Sequence, residues 1–221
     1  MNVLVIAPHP DDEILGVGGT IAKHSDRGDK VFVCIVTKGF APLFVLESVE
    51  RTRTECRKAD KILGVQETVF LDFPAVMLEQ TPRYELNSAL LKVVQEYRPD
   101  IVYLPCRGDM QLDHKMIVDA SMVALRPKYE HRIKKILCYE TMSETGWDIP
   151  NCTNEFIPTA YTDISDFLNR KIEALKFFTT QIQEFPAARS VDAVRALAIY
   201  RGAMMNMRAA EAFFVVRDIW T

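Results

Sequence analysis

The chain has 221 residues, of which 48% are hydrophobic and 26% charged, and its formal net charge is −3. This composition is typical of a soluble globular protein, and the length fits one α/β domain over residues 1–221. Lys and Arg are scattered, whereas nucleic-acid binding needs a basic stripe. No apolar run approaches the roughly 18 residues of a membrane helix, which excludes an integral membrane contact, and no signal-peptide pattern is present. Five widely spaced cysteines without a C-x-x-C pair predict reduced thiols in a cytoplasmic protein.

Strand and helix patterns alternate over the first two thirds of the chain. Short apolar runs predict strands at Val3–Ala7, Val31–Thr37, Thr68–Leu71, Ile101–Pro105 and Lys135–Glu140. Helical patterns lie between them, at Thr20–Arg27, Glu47–Leu63, Tyr84–Tyr97 and Asp113–Leu125. This order predicts a Rossmann-like three-layer α/β sandwich, with a mainly parallel sheet and helices on both faces.

The alternation stops at Ser143–Thr159, which is rich in Gly, Pro and Asn and carries Trp147. A long irregular segment in a compact domain is often functional, so we expect a substrate lid here, with an ordinary surface loop as the alternative. The remaining chain predicts a short strand, two helices and a last strand that lies at a sheet edge. Their bounds are Tyr161–Ile164, Ser165 or Asp166 through Thr180, Ser190–Asn206, and Phe213–Val216.

A histidine and three acidic residues follow the first predicted strand, in the order His9, Asp11, Asp12 and Glu13. The carboxyl ends of strands are where ligands bind in open α/β sheets. Adjacent carboxylates repel one another, so packing alone does not explain this cluster, whereas a divalent cation would. His9 and Asp12 can face one metal and leave Asp11 free for proton transfer.

A second cluster, Arg107–His114, follows the fourth predicted strand and should face the same crevice. His9, Asp12 and His114 together make a three-ligand set that suits zinc or another divalent metal and leaves a position for water. Asp113 is then a candidate for orienting a ligand. Taken singly, each feature has a plainer explanation, because histidines are often structural and Asp pairs often cap helices.

These motifs resemble the PIG-L/LmbE-like zinc N-deacetylases, which act on N-acetylglucosamine-type sugars. The resemblance rests on Pro8-His9-Pro10-Asp11-Asp12-Glu13, Gly18-Gly19-Thr20 and Asp113-His114, and it extends over most of the chain. It implies a Rossmann-like fold, a zinc ion held by His9, Asp12 and His114, and a small N-acetylated sugar as substrate. It also implies self-association into a homo-oligomer.

The resemblance further implies roles for single residues. Asp11 matches the general base, Glu13 an acidic residue at the rim of the site that contacts the sugar or ties a loop, and Arg53 a substrate-contacting arginine. Many members carry a histidine where this chain has Gln111, which can donate a hydrogen bond to the oxyanion but cannot shuttle a proton. Asp11 then serves as both base and acid, or Asp109 or a tyrosine contributes. Asp109 is also a candidate substrate contact.

Two other functions remain open on the residues alone. Gln111 is compatible with a metal-containing sugar-binding protein that has lost catalysis, although such a protein would not need Asp11. A receiver-like domain would use Asp72, but no Lys follows the fourth strand. His24 and His131 are expected at the surface. Three arginines are expected to be solvated or to meet an anionic group of the substrate: Arg189, Arg195 and Arg201.

Overall fold

A computed structural model describes residues 1–128, 132–151 and 154–220. Seven strands form one sheet: β1 (Asn2–Ala7), β2 (Lys30–Lys38), β3 (Glu67–Pro74), β4 (Ile101–Pro105), β5 (Lys135–Tyr139), β6 (Ala160–Asp163) and β7 (Ala210–Asp218). Their order across the sheet is β3-β2-β1-β4-β5-β7-β6. Strands β1 to β5 pair in parallel, and β7 runs antiparallel to both β5 and β6. The predicted mainly parallel sheet is therefore confirmed.

Helices cover both faces of this sheet. They are α1 (Asp12–Asp26), α2 (Leu46–Leu63), α3 (Arg83–Tyr97), α4 (Leu112–Ala124), α5 (Leu168–Leu175) and α6 (Val191–Ala203), with a 3-10 turn at Leu78–Gln80. Alternate residues of β1 point to opposite faces, as the period of a strand requires. Val3 and Val5 pack with α1, α2, α5 and α6, whereas Leu4 and Ile6 pack with α3 and α4. Two cores result, one on each face, as the three-layer prediction requires.

The chain order reverses at β1, which pairs with β2 on one side and with β4 on the other. In doubly wound sheets, a crevice opens at such a switch point, at the carboxyl ends of the two strands. The segment from Pro8 to Asp11 leaves β1 there, and the segment from Cys106 to Gln111 leaves β4. The two predicted clusters therefore lie at one edge of the sheet.

Helix α1 begins at Asp12, eight residues before the predicted start at Thr20. Glycines at positions 16, 18 and 19 lower the helix propensity of this segment, but they allow close packing. A Cβ at Gly16 would lie 2.2 Å from Cδ2 of Tyr139, and one at Gly19 would lie 2.7 Å from Cδ1 of Ile164. The early start places Asp12 and Glu13 in the first helical turn, where the helix dipole favours negative charge.

Three further expectations are corrected. Helix α5 ends at Leu175 and not at Thr180. β7 lies between β5 and β6, so the last strand is not at an edge of the described sheet. His24 is only 9% exposed, because its Nδ1 lies 2.7 Å from Asp29 Oδ2 and its Nε2 lies 3.0 Å from the Tyr103 hydroxyl.

His131 falls outside the described residues, as does Cys152. The other four cysteines are all free thiols and are buried. Within the described ranges, no helix is both long and apolar enough to span a membrane.

Candidate metal centre

Three side chains from the two clusters converge at the carboxyl ends of β1 and β4. Asp12 Oδ2 lies 3.2 Å from His9 Nδ1 and 3.3 Å from His114 Nε2. One ligand atom from each of the three residues lies within 4.8 Å of the others. Asp12 and His114 have no exposed surface, and His9 is partly exposed. The predicted ligand set is thus assembled in space.

Two atoms of this set have no hydrogen-bond partner among the described residues. They are His114 Nε2 and Asp12 Oδ1, and both are buried. The contact between His114 Nε2 and Asp12 Oδ2 at 3.3 Å is an ion pair without hydrogen-bond geometry. A buried polar atom left unsatisfied costs about 1–3 kcal/mol. A divalent cation with nitrogen and oxygen ligands would satisfy both atoms, so the donor set fits a metal such as zinc.

A second carboxylate holds each histidine on the ring nitrogen that faces away from Asp12. His9 Nε2 lies 3.2 Å from Asp113 Oδ2, and His114 Nδ1 lies 2.8 Å from Asp109 Oδ2. Carboxylates in this position fix the tautomer and the orientation of a metal-binding imidazole. Asp113 contacts His9 in the way expected of a residue that orients a metal-binding histidine.

Asp109 is not placed as a substrate contact, and that prediction is wrong. Its carboxylate has no exposed surface, and both oxygens are engaged, Oδ2 by His114 and Oδ1 by the hydroxyl of Thr145 at 2.5 Å. The sequence does not distinguish Asp109 from Asp113, because both lie in one short segment. The direction of each side chain decides which surface it reaches.

The buried charges shift one another's pKa. Burial would lower the pKa of His9 and His114, but the neighbouring carboxylates raise it to about 9 and about 10, respectively. Burial would raise the pKa of Asp12, but the two histidines hold it well below its usual range. The electrostatic field of the cluster therefore keeps Asp12 ionised and available as an anionic ligand.

Asp11 lies beside the ligands without joining them. It is buried, its backbone has φ of 124°, and its Oδ2 lies 3.4 Å from Arg189 Nη1. Burial raises its pKa to about 7, although the charge of Arg189 opposes this shift. A carboxylate with a pKa near neutrality can both accept and return a proton at physiological pH.

Glu13 is not at the rim of the site, and this prediction is also wrong. It has no exposed surface, because its side chain points behind the loop towards Cys56 on α2. Glu13 Oε2 accepts a hydrogen bond of 3.0 Å from the backbone N–H of Asp11. The resemblance implied that Glu13 either contacts the sugar or holds a loop in place. Only the second role agrees with this geometry.

A cavity of about 200 Å³ opens beside Asp11 and His9. Gln111 and Arg53 line it, as expected of substrate-contacting residues. Gln111 immediately precedes α4, and its side chain makes no capping hydrogen bond. Arg53 lies 4.7 Å from the centre of the Phe70 ring and pairs with Asp72. Trp147 does not line this cavity and is 71% exposed, so nothing in the described structure tests it as part of a lid.

Two cavity residues were not singled out from the sequence as site residues. Arg189 is one of three arginines expected to be solvated or to meet an anionic group, and no sequence pattern marks Gln181. Both line the cavity. Both residues lie between the two predicted helices, in a segment without a regular pattern, so the sequence does not predict which surface this segment covers. The observed end of α5 at Leu175 leaves the segment free to form a wall of the site.

Comparisons with known proteins identify a family. The family model described as "PIG-L: GlcNAc-PI de-N-acetylase" matches residues 4–125, more than half of the chain. The diacetylchitobiose deacetylase of Thermococcus kodakarensis is 28% identical, over 99% of this chain and 84% of its own. A probable N-acetyl-alpha-D-glucosaminyl L-malate deacetylase 2 of Bacillus anthracis is 26% identical, over 81% of each chain.

The fold also matches a solved structure. The conserved protein TT1542 of Thermus thermophilus superposes with a TM-score of 0.79 at 25% identity, over 99% of this chain and 96% of that one. The family match includes His9, Asp11, Asp12 and His114, and it excludes the receiver-like alternative built on Asp72. The chain belongs to the PIG-L family of N-deacetylases.

Proposed function

We propose that residues 1–221 form a single metal-dependent amidohydrolase domain that removes the acetyl group from an N-acetylglucosamine-type sugar or sugar conjugate. The observation that carries the proposal is the convergence of His9, Asp12 and His114, with unsatisfied buried ligand atoms, next to a cavity that His9 and Asp11 line. The names of the relatives support the substrate class, since they are deacetylases of acetylated glucosamine compounds.

The three ligands would hold zinc, or another divalent ion, since affinity order and cellular availability both decide which metal is bound. When bound, such an ion supplies a Lewis acid that lowers the pKa of water and polarises the amide carbonyl. Asp113 and Asp109 keep His9 and His114 in the tautomer that presents a lone pair to the metal.

Asp11 performs the proton transfers in this scheme. It takes a proton from the attacking water and then delivers it to the amide nitrogen as the C–N bond breaks, which releases acetate and a free amine. One carboxylate can serve in both steps when its pKa lies near the working pH. Gln111 donates a hydrogen bond to the amide oxygen, and Arg53 contacts the sugar at the cavity wall.

Acetate release tests the proposal directly. Zinc-loaded protein should release acetate from N,N'-diacetylchitobiose or from N-acetylglucosaminyl malate, and Asp11→Asn should lose this activity while it keeps its metal. Asp166→Asn is the matched control, because Asp166 is exposed and, in the described part of the chain, forms its one ion pair with the exposed Arg208. A wild-type protein that binds these sugars and zinc without hydrolysis would contradict the proposal and favour the sugar-binding alternative.

Two further expectations, about self-association and location in the cell, accompany this proposal. We infer from the family resemblance that the protein self-associates, which light scattering in solution would test. A cytoplasmic location is the other expectation, and fractionation of the source cells would test it.

A further inference from the structure

An arginine that follows an irregular segment lies beside the proposed base. Arg189 Nη1 is 3.4 Å from Asp11 Oδ2, and that oxygen has no hydrogen-bond partner among the described residues. Arg189 lines the same cavity as His9 and Gln111. Its guanidinium group therefore borders the space that the amide of a bound substrate would occupy.

Two neutral acceptors hold the guanidinium in place. Nη1 donates to Gln181 Oε1 at 3.0 Å, and Nε donates to Ser143 Oγ at 3.3 Å. Within the described ranges Nη2 donates no hydrogen bond, and the side chain is 26% exposed. One edge of the guanidinium thus remains available to a ligand in the cavity.

The wall that carries this arginine is anchored to α2. Glu55 accepts hydrogen bonds from the hydroxyls of Thr179 at 2.6 Å and Thr180 at 2.5 Å. Thr180 directly precedes Gln181, which in turn holds Arg189. An arginine held by such a chain of contacts differs from a solvated surface charge, whose orientation is free.

Arg189 adds a positive charge to the site. The neighbouring Asp11 raises the pKa of Arg189, so the guanidinium stays charged and cannot act as a proton donor to the leaving group. Gln111, the other cavity residue placed to meet the amide oxygen, is neutral. A fixed cation near a developing oxyanion stabilises the transition state more than the ground state.

We propose that Arg189 is a catalytic residue that donates a hydrogen bond to the acyl oxygen of the substrate and supplies the positive charge that position 111 lacks. The inference rests on the proposed function. Arg189 exchanges no proton. The acyl oxygen gains negative charge as water adds to the carbonyl carbon, and it gives up that charge as the C–N bond breaks and Asp11 returns its proton to the nitrogen.

The test compares Arg189→Ala, Arg189→Lys and the control Arg195→Ala in zinc-loaded protein. Arg195 is a fair control, because among the described residues its side chain donates a hydrogen bond only to Asn169 Oδ1, at 3.4 Å. We expect Arg189→Ala to lower kcat about 100-fold or more, the usual effect of removing one oxyanion donor, with little change in KM. Arg189→Lys should retain more activity than Arg189→Ala, and added guanidinium ion should partly restore Arg189→Ala.

A binding measurement separates a contact with the acyl group from a structural role. Acetate, the product, should raise the melting temperature of the wild-type protein more than that of Arg189→Ala. Unchanged kcat in Arg189→Ala would overturn the proposal. Unfolding or loss of the metal in this variant would also overturn it, because the side chain would then have a structural role. If the wild-type protein itself hydrolyses no N-acetyl sugar, the proposed function fails first, and that failure is distinct.

Discussion

Asn in place of Asp109 should weaken metal binding although Asp109 itself contacts no metal. The side chain keeps its shape in Asp109→Asn but loses its charge and one of two acceptor oxygens. At present Oδ2 accepts from His114 Nδ1 at 2.8 Å, and Oδ1 accepts from the Thr145 hydroxyl at 2.5 Å. If the new amide group faces His114, it favours the tautomer with hydrogen on Nε2, which blocks the ligand atom.

The expected size of this effect follows from the position of Asp109. Loss of a carboxylate that orients a metal-binding histidine costs about 10- to 100-fold in metal affinity. That range equals about 1.4–2.8 kcal/mol of binding free energy. Because Asp109 is fully buried, solvent does not screen the contact, and we expect the upper half of the range.

The assay is a zinc competition titration against a chromophoric chelator. Asp119→Asn is the matched control, since Asp119 lies on the same helix as His114 but pairs with the exposed Arg107. Its zinc affinity should stay within twofold of the wild-type value. A zinc Kd for Asp109→Asn within threefold of the wild-type value would refute the idea that Asp109 holds His114 for the metal.

Three other changes give distinct outcomes. Gln111→Ala should lower kcat about 100-fold and leave KM nearly unchanged in steady-state kinetics; a rise in KM alone would show that Gln111 only binds the ground state. Lys171→Met removes the ammonium group that lies 2.6 Å from the buried Glu211 carboxylate. Urea unfolding should therefore show that the free energy of unfolding falls by about 3–5 kcal/mol, and a fall of less than about 1 kcal/mol would contradict this account. Burial lowers the pKa of His24 despite the hydrogen bond to Asp29, so the stability it contributes is present above about pH 6.5 and is lost as the pH falls. His24→Gln should therefore flatten the fall in unfolding free energy between pH 7 and pH 5, and an unchanged slope would contradict the assignment.

The convergence of the three candidate metal ligands is predictable because their positions depend on topology. The strand patterns before His9 and before His114 are strong, and parallel strands end at one edge of the sheet. That rule brings the two clusters together without any knowledge of side-chain packing. The placement of Asp12 in the ligand set follows from the same rule.

The roles of the neighbouring carboxylates were harder to predict. Asp109 and Asp113 are four residues apart in one segment. Asp113 contacts His9 and Asp109 contacts His114, and this difference depends on the folded path of the segment. Glu13 is buried because α2 brings Cys56 against it, a contact between residues 43 positions apart. Local sequence patterns carry no information about contacts of this kind.

For a related reason, the sequence does not separate Arg189 from Arg195 and Arg201. The segment between α5 and α6 has no regular period, and its path depends on hydrogen bonds from Thr179 and Thr180 to the distant Glu55. The predicted helix ends at Thr180, five residues after the observed end of α5, and does not show where this segment turns towards the cavity. The sequence does not predict the path of an irregular segment when polar contacts with distant residues hold that segment in place.

Metal content of the purified protein tests the central claim most directly. Elemental analysis of the wild-type chain beside His114→Ala should find about one divalent ion, zinc by expectation, in the wild-type protein and almost none in the variant. Such a result would support the assignment of His9, Asp12 and His114 as the ligand set. A wild-type protein that holds no metal, even after loading with zinc, would contradict the account.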